Sequence, residues 1–448
     1  MFSKLLIANR GEIALRIIRS ARELGYKTVA VYSEPDKNSL HTIFADEKVC
    51  IGPAKAQDSY LNIANLLSVA EITRADAIHP GYGFLAENAR FAEICEASGI
   101  TFIGPSASLI NLMGDKNKAR QEMKKAGLPV IEGSEMIIKD IAEAKKVAKK
   151  IIYPVILKAA AGGGGKGMRV VRSSSQLEEQ YAIAQNEANA AFGDSSLYLE
   201  KYLPKAHHIE IQVIGDKRKN VIAFGERECS IQRKYQKFIE ETPSPYIDEK
   251  LRKKIIKAVE EAVRFIGYQS LGTFEFLVDE EGKFYFMEAN TRVQVEHPIT
   301  EMAYGIDLVK EQINIAAGKK LSFSHDLKLR GHSIECRINA EDSETFIPSS
   351  GKIDFIVLPS GQGIRVDSAA YCGCDIPPDY DSLVAKIVAH APTREEAIKK
   401  MLTALEMTTI VGIKTNIPLH LSILSHSDFM KGNYDIHFME NLLSKKKS

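Results

Sequence analysis

The residues between Gly272 and Pro298 are those whose types and spacing most plainly suit chemistry. Thr273–Val278 and Lys283–Ala289 read as strands joined by Asp279-Glu280-Glu281-Gly282. Pairing Val278 with Lys283 sets Glu275 opposite Phe286 and places Glu275 and Glu288 on one face, together with Phe284 and Phe286. Two carboxylates with Asn290 one step beyond suit a Mg²⁺ whose remaining positions go to phosphate oxygens; a solvated acidic pair is the competing reading. If the chain stays extended, Asn290, Arg292, Gln294 and Glu296 form a polar strip, with Val293 and Val295 pointing away. A guanidinium beside a carboxamide suits a small planar oxyanion, and Glu296 is placed to remove a proton. An amphipathic surface strand is the plainer alternative.

A second chemical feature is the run Ala159-Ala160-Ala161-Gly162-Gly163-Gly164-Gly165-Lys166-Gly167-Met168. Gly162, Gly164 and Gly167 satisfy G-x-G-x-x-G, but a dinucleotide site needs a helix to follow, and Arg169-Val170-Val171-Arg172 reads as a strand. A P-loop needs Ser or Thr after the lysine, and Gly167 stands there. A protein kinase would need H-R-D and D-F-G, which are absent. A glycine flap at the tip of a hairpin remains, its N–H groups free to close over phosphates, with Lys158 beside it as a fixed charge. A merely mobile turn is the alternative. Lys116, His208, Gln232 with Arg233, Lys237 and Arg337 are individually weak signals, informative only where the fold gathers them.

These groups must be held by several domains, since 448 residues exceed one typical unit. Strands at Lys4–Ala8, Thr28–Tyr32, Ala75–Ile78 and Thr101–Ile103 alternate with helices ending at Gly25 and around 61–71 and 87–97. That alternation predicts a parallel doubly wound α/β domain whose ligand loops are Asn9-Arg10-Gly11-Glu12 and His79-Pro80-Gly81-Tyr82-Gly83-Phe84. A Lys-rich helix over 141–150 and a strand over 153–158 lead into the glycine run. From about Arg330 the pattern becomes α+β, with strands Ser333–Ile338, Ile353–Val357 and Leu383–Ala389 and a helix opened by the capping box Thr393-Arg394-Glu395-Glu396.

A net charge of +1 provides no global field for nucleic acid or an anionic membrane surface. No apolar run approaches the ~20 residues of a membrane span, and the opening residues lack a signal-peptide core. Six scattered cysteines, with Cys372-Gly373-Cys374 read as a turn, fit a reducing, cytoplasmic setting better than a disulfide scaffold or a zinc site.

Ile7-Ala8-Asn9-Arg10-Gly11-Glu12-Ile13-Ala14, the 79–85 loop, Met113-Gly114-Asp115-Lys116, Lys158 with the glycine run, Phe286 through Pro298, and Glu335-Cys336-Arg337-Ile338-Asn339-Ala340-Glu341-Asp342 closely resemble the biotin carboxylase family, in order along nearly the whole chain. The resemblance implies an ATP-grasp fold with three parts: an N-terminal α/β domain (1–112), a grasp domain (113–330) with a lid over about 130–203, and a C-terminal α+β domain (331–448). It implies ATP-dependent carboxylation of biotin by bicarbonate through carboxyphosphate. Lys116, Lys158, His208 and the flap glycines Gly164 and Gly165 would then meet ATP phosphates. Glu200, Lys201, Leu203, Gln232 and Leu277 would line the nucleotide site.

By the same resemblance, Glu275, Glu288 and Asn290 would hold Mg²⁺ or Mn²⁺. Lys237, Arg292, Gln294 and the Val295 backbone would bind bicarbonate, with Glu296 as base. Tyr82 and Arg337 would face biotin, Arg337 stabilising its enolate. The chain has Tyr235 where many members have His, and the nearest approach to the Met-Lys-Met biotinylation context, Met123-Lys124-Lys125, lacks the second Met. A separate biotin carboxyl carrier protein and carboxyltransferase subunits are therefore expected as partners, in a homodimeric biotin carboxylase subunit of acetyl-CoA carboxylase. A pyruvate or propionyl-CoA carboxylase subunit is the alternative.

Overall fold

A computed structural model describes residues 2–134, 137–160, 167–324 and 326–445. The N-terminal strands form a five-stranded parallel sheet in the order Glu47–Gly52, Lys27–Ser33, Lys4–Ile7, Ala77–His79, Thr101–Phe102. The strand order reverses beside Lys4–Ile7, so the loops after it and after His79 open the crevice where α/β sheets bind ligands. Apolar residues cover both faces: Leu5, Ile7, Ile13 and Ile17 on one, Leu6, Val29, Val31 and Leu66 on the other. The edge strand Glu47–Gly52 carries a weak pattern in the sequence because only Ile51 of its six residues is buried. Asn9 donates to the carbonyls of Pro80 and Tyr82 at 2.7 Å each, pinning the second loop. Gly81, at φ +64°, permits that approach; a Cβ there would sit 2.9 Å from Asn9 Nδ2.

Residues 141–201 form a small unit of helix Ile141–Ile151, a three-stranded antiparallel sheet (Arg169–Val171, Val155–Ala159, Leu197–Lys201) and helix Leu177–Phe192. The two strands flanking the glycine run do pair as a hairpin. Gly164 and Gly165, expected at the ATP phosphates, lie outside the described residues.

The centre of the molecule is an antiparallel sheet of nine strands. Its order is Phe284–Asn290, Ser270–Asp279, Ala206–Gly215, Arg227–Arg233, Gln236–Thr242, His332–Asn339, Leu383–Ala391, Ile364–Ser368, with Val221–Ala223 added on Ala206–Gly215. The C-terminal strands thus continue the central sheet, which sets Arg337 beside residues distant in sequence. The capping box forms as expected, Thr393 Oγ1 accepting from the Glu396 amide at 3.3 Å.

Two local expectations are corrected. Val278 pairs with Phe284, and a β-bulge at Met287 then sets Glu275 directly opposite Glu288. The extra residue flips the alternation, so Phe284 and Phe286 point into the core with Phe274 and Phe276, away from the glutamates. The strand also ends at Asn290; residues 291–296 turn into the helix His297–Tyr304, whose first turn contains Pro298. The extended polar strip does not exist, although its side chains still converge.

Candidate active site

The convergence centres on the Lys237 ammonium, in the strand after the hairpin turn. It contacts Glu210, lies 3.1 Å from Glu275 Oε1 and 2.8 Å from Glu296 Oε1. All three carboxylates are buried. His208, Glu210 and Glu275 have the spacing of a metal triad, but Lys237 supplies a cation among these acids. Arg227, with no exposed surface, backs the cluster: it donates to Glu210, Gln212, Thr273, Thr300 and Gln294 over 2.7–3.2 Å.

Arg337 donates to Glu240 at 2.6 Å and to Glu296 Oε2 at 2.9 Å. Burial alone would push Glu296 up, but Lys237, Arg337 and Arg227 outweigh it and hold the carboxyl well below its usual range. Glu296 is therefore an ionised acceptor gripped by two cations.

Glu275 accepts from Asn290 at 2.7 Å, Gln294 at 2.8 Å and His208 Nε2 at 2.9 Å. Burial opposes its charge, yet Lys237 and His208 keep it well below the ordinary range. Across the bulge, half-exposed Glu288 meets Lys116 at 3.0 Å. Arg292 donates to Glu87 at 2.9 Å and to Asn290 Oδ1 at 3.0 Å. The expected residues Lys237, Glu275, Asn290, Arg292, Gln294, Glu296 and Arg337 are thus joined in one hydrogen-bonded network. The directly opposed Glu275 and Glu288, with the Asn290 carboxamide beside them, form a hard oxygen donor set that fits Mg²⁺ or Mn²⁺.

Lys158, on the small three-stranded sheet, and Arg120, in the helix Lys116–Lys125, both bond Glu200, which is 4% exposed. Burial raises this carboxyl, and Lys158 and Arg120 more than reverse it. Lys158 thus rests on the Glu200 carboxylate. Lys201 directs its ammonium to the Ile152 and Tyr153 carbonyls at 2.9 and 3.2 Å. Leu277 lies directly across from His208, and Gln232 across from Lys237. Leu203 is half-buried just beyond the strand Leu197–Lys201. Tyr235 occupies the hairpin tip at φ +65° and is more than half exposed.

On the far side, the Tyr82 phenol donates to Glu12. Glu210, Arg227, Glu240, Lys386, Glu87 and Arg120 escape a reading of the sequence, which reaches Glu12 only as part of the first ligand loop. Glu210 carries a signal, standing two positions after His208 on the same strand face; Arg227 and Lys386 carry none, because their partners come from distant segments.

Directly opposed carboxylates and a cluster of buried cations and acids on one antiparallel sheet, with the small three-stranded unit carrying Lys158 beside it, are the arrangement of a ligase of the ATP-grasp class. Sequence models agree segment by segment: the biotin carboxylase N-terminal domain over residues 1–110, the ATP-binding domain of the carbamoyl-phosphate synthase L chain over 115–324, and the biotin carboxylase C-terminal domain over 335–441. The chain is 55% identical to a biotin carboxylase of Haemophilus influenzae, covering 99% of each, and 54% identical to biotin carboxylase 1 of Bacillus subtilis, covering 98% of each. It superposes with a TM-score of 0.95 on a Campylobacter jejuni biotin carboxylase–ATP complex, at 51% identity over 98% of this chain and 99% of that one. The chain belongs to the biotin carboxylase family.

Proposed function

We propose that the protein carboxylates carrier-bound biotin with ATP and bicarbonate, and that the residues joined around Lys237 perform the reaction. Bicarbonate sits against Lys237, Arg292, Gln294 and the Val295 backbone. Its arrival takes Lys237 and Arg337 partly away from Glu296, which weakens the two interactions that hold that carboxyl down and makes it a stronger base. Glu296 accepts the bicarbonate proton, the freed oxygen attacks the γ-phosphorus, and the bond to ADP breaks. Lys116, Lys158 and His208 orient the phosphates, and a divalent ion held by Glu275 and Glu288 would offset their charge. Carboxyphosphate then cleaves its C–O bond to give CO₂ and phosphate. Phosphate takes the N1′ proton of biotin, and the enolate, stabilised by Arg337 with Tyr82 beside the ring, attacks CO₂ to form the N–C bond. Gln232, Glu200, Lys201, Leu203 and Leu277 surround the nucleotide, and a closed site keeps water from the intermediate.

The observation that carries this reading is the shared grip of Lys237 and Arg337 on Glu296, which joins a base to the cations an oxyanion needs. A carbamoyl-phosphate-type ligase would need lid and metal carboxylates but not this arrangement. ADP release by purified enzyme should depend on bicarbonate and rise with free biotin. Stimulation by ammonia in place of biotin would favour the rival.

The biotin is proposed to arrive on a separate carrier protein, with a carboxyltransferase receiving the carboxyl group, in the cytoplasm. No helix among the described residues is long and apolar enough to cross a membrane. A homodimer is proposed because a Hydrogenobacter thermophilus biotin carboxylase domain, 50% identical, is described as a dimer bound to MgADP, ADP and bicarbonate. Acetyl-CoA is the proposed final acceptor, on the strength of full-length similarity to stand-alone biotin carboxylases. Pyruvate is the second reading, since one chain of the pyruvate carboxylase of Methanothermobacter thermautotrophicus is 51% identical. Co-purification of the transferase decides between them.

A further inference from the structure

Lys386, in the C-terminal strand Leu383–Ala391, has no exposed surface and lies directly across from Arg337 on the neighbouring strand. The two cations therefore share a sheet face. Arg337 reaches the Glu296 side chain, whereas Lys386 reaches the backbone behind it, donating to the Val295 carbonyl at 2.9 Å. The same ammonium lies 3.1 Å from Glu12 Oε1, the oxygen that also accepts the Tyr82 hydroxyl, and 3.9 Å from Asp367. Glu12 Oε2 has no hydrogen-bond partner among the described residues.

Both peptide planes around Val295 are consequently fixed. The Gln294 carbonyl, which shares its plane with the Val295 N–H, accepts from His297 Nδ1 at 2.7 Å and its amide at 3.3 Å. The Val295 carbonyl, which shares its plane with the Glu296 N–H, is fixed by Lys386. A loop of irregular backbone between a strand and a helix has no ladder to set these planes, so the buried ammonium does so. It also forms a continuous connection, Tyr82 to Glu12 to Lys386 to Val295, between the biotin-facing loop of the first domain and the bicarbonate-facing loop at the end of the central sheet.

We propose that Lys386 is a positioning residue that aims the Val295–Glu296 backbone at bicarbonate and couples that loop to the biotin-side Tyr82–Glu12 pair. This rests on the site reading above. An ammonium is suited to the task because it offers three donors from one point, enough for a carbonyl and carboxylates lying in different directions.

The test is steady-state kinetics of Lys386→Met, with Lys386→Arg and the charge-balanced double variant Glu12→Gln/Lys386→Met beside it, and Glu296→Gln as control. For Lys386→Met the KM for bicarbonate and for free biotin should each rise about tenfold or more, as expected when a reacting group is misplaced by a fraction of an ångström, while the KM for ATP stays within about twofold. Lys386→Arg should recover part of the bicarbonate effect. If Lys386→Met does not fold, the double variant, which leaves no unpaired Glu12 charge, provides the same readout. Uniform loss of rate with all KM values unchanged would show a merely structural lysine and overturn the proposal. Glu296→Gln that still cleaves ATP at the wild-type rate would instead overturn the underlying site reading.

Discussion

Replacing Arg337 by Met removes its donors to Glu240 and Glu296, at 2.6 and 2.9 Å, while keeping an unbranched apolar stem of similar reach. Two effects of different kinds follow. The first is on stability: breaking a buried pair by removing one partner costs about 3–5 kcal/mol, but the stranded acid can instead take a proton. Burial already pushes Glu240 up against the pull of Arg337, so protonation is close at hand and the loss should fall near the lower end of that range. The second effect is on catalysis, where a fixed cation facing developing enolate charge contributes about 2.7–4 kcal/mol, equivalent to about 10²–10³ in kcat.

Arg337 has no bond to Lys116, Lys158, His208 or Glu288, so the KM for ATP should stay within about twofold. Biotin-dependent ADP release measured against ATP concentration, at a temperature where circular dichroism shows the variant folded, separates the two effects. A kcat loss of less than about tenfold, or a KM for ATP that rises in step with it, would refute the assignment of Arg337 to the biotin half of the reaction.

Three further outcomes are expected. Glu241 accepts from His332 at 2.6 Å and Arg394 at 2.7 Å; burial opposes its charge, but these partners hold it down to about 2, so its contribution is complete above about 4.5 and is lost as pH falls toward 2. Glu241→Gln should therefore lose about 3 kcal/mol at neutral pH and nearly nothing near pH 2, read as a difference in denaturant midpoint that closes on acidification. Glu335 is the opposite case: both its oxygens are buried without a partner among the described residues, and burial raises its carboxyl well above the usual range. The folded protein holds a proton there more tightly than the unfolded chain does, so stability is present at low pH and lost as pH rises; Glu335→Gln should gain over wild type as pH rises through the ordinary carboxylate range, read as a difference in denaturant midpoint, and a pH-independent difference would contradict this. Glu87→Gln, which weakens the anchor of Arg292, should raise the KM for bicarbonate and leave that for ATP unchanged, measured by initial rates.

The alternating elements of the first domain are legible in the sequence because period-2 and period-3.6 patterns are local, and its edge strand is not, because an exposed edge lacks the pattern. Strand alternation correctly puts Glu275 and Glu288 on one face, but through a register that the bulge at Met287 invalidates; bulges leave little trace in sequence. Arg292, Gln294 and Glu296 stand out through an alternation that the structure replaces with a turn, and they converge because the central sheet meets them from the other side. Arg227 and Lys386 carry no local signal at all: a buried cation is defined by carboxylates and carbonyls that only long-range strand pairing brings to it.

The central claim is that Glu296, ionised and gripped by Lys237 and Arg337, deprotonates bicarbonate. Bicarbonate-dependent ATP cleavage by Glu296→Gln tests it most directly, with ATP affinity measured on the same preparation. A fall of about 10²–10⁴ in rate with ATP affinity retained is predicted; turnover at the wild-type rate would contradict it.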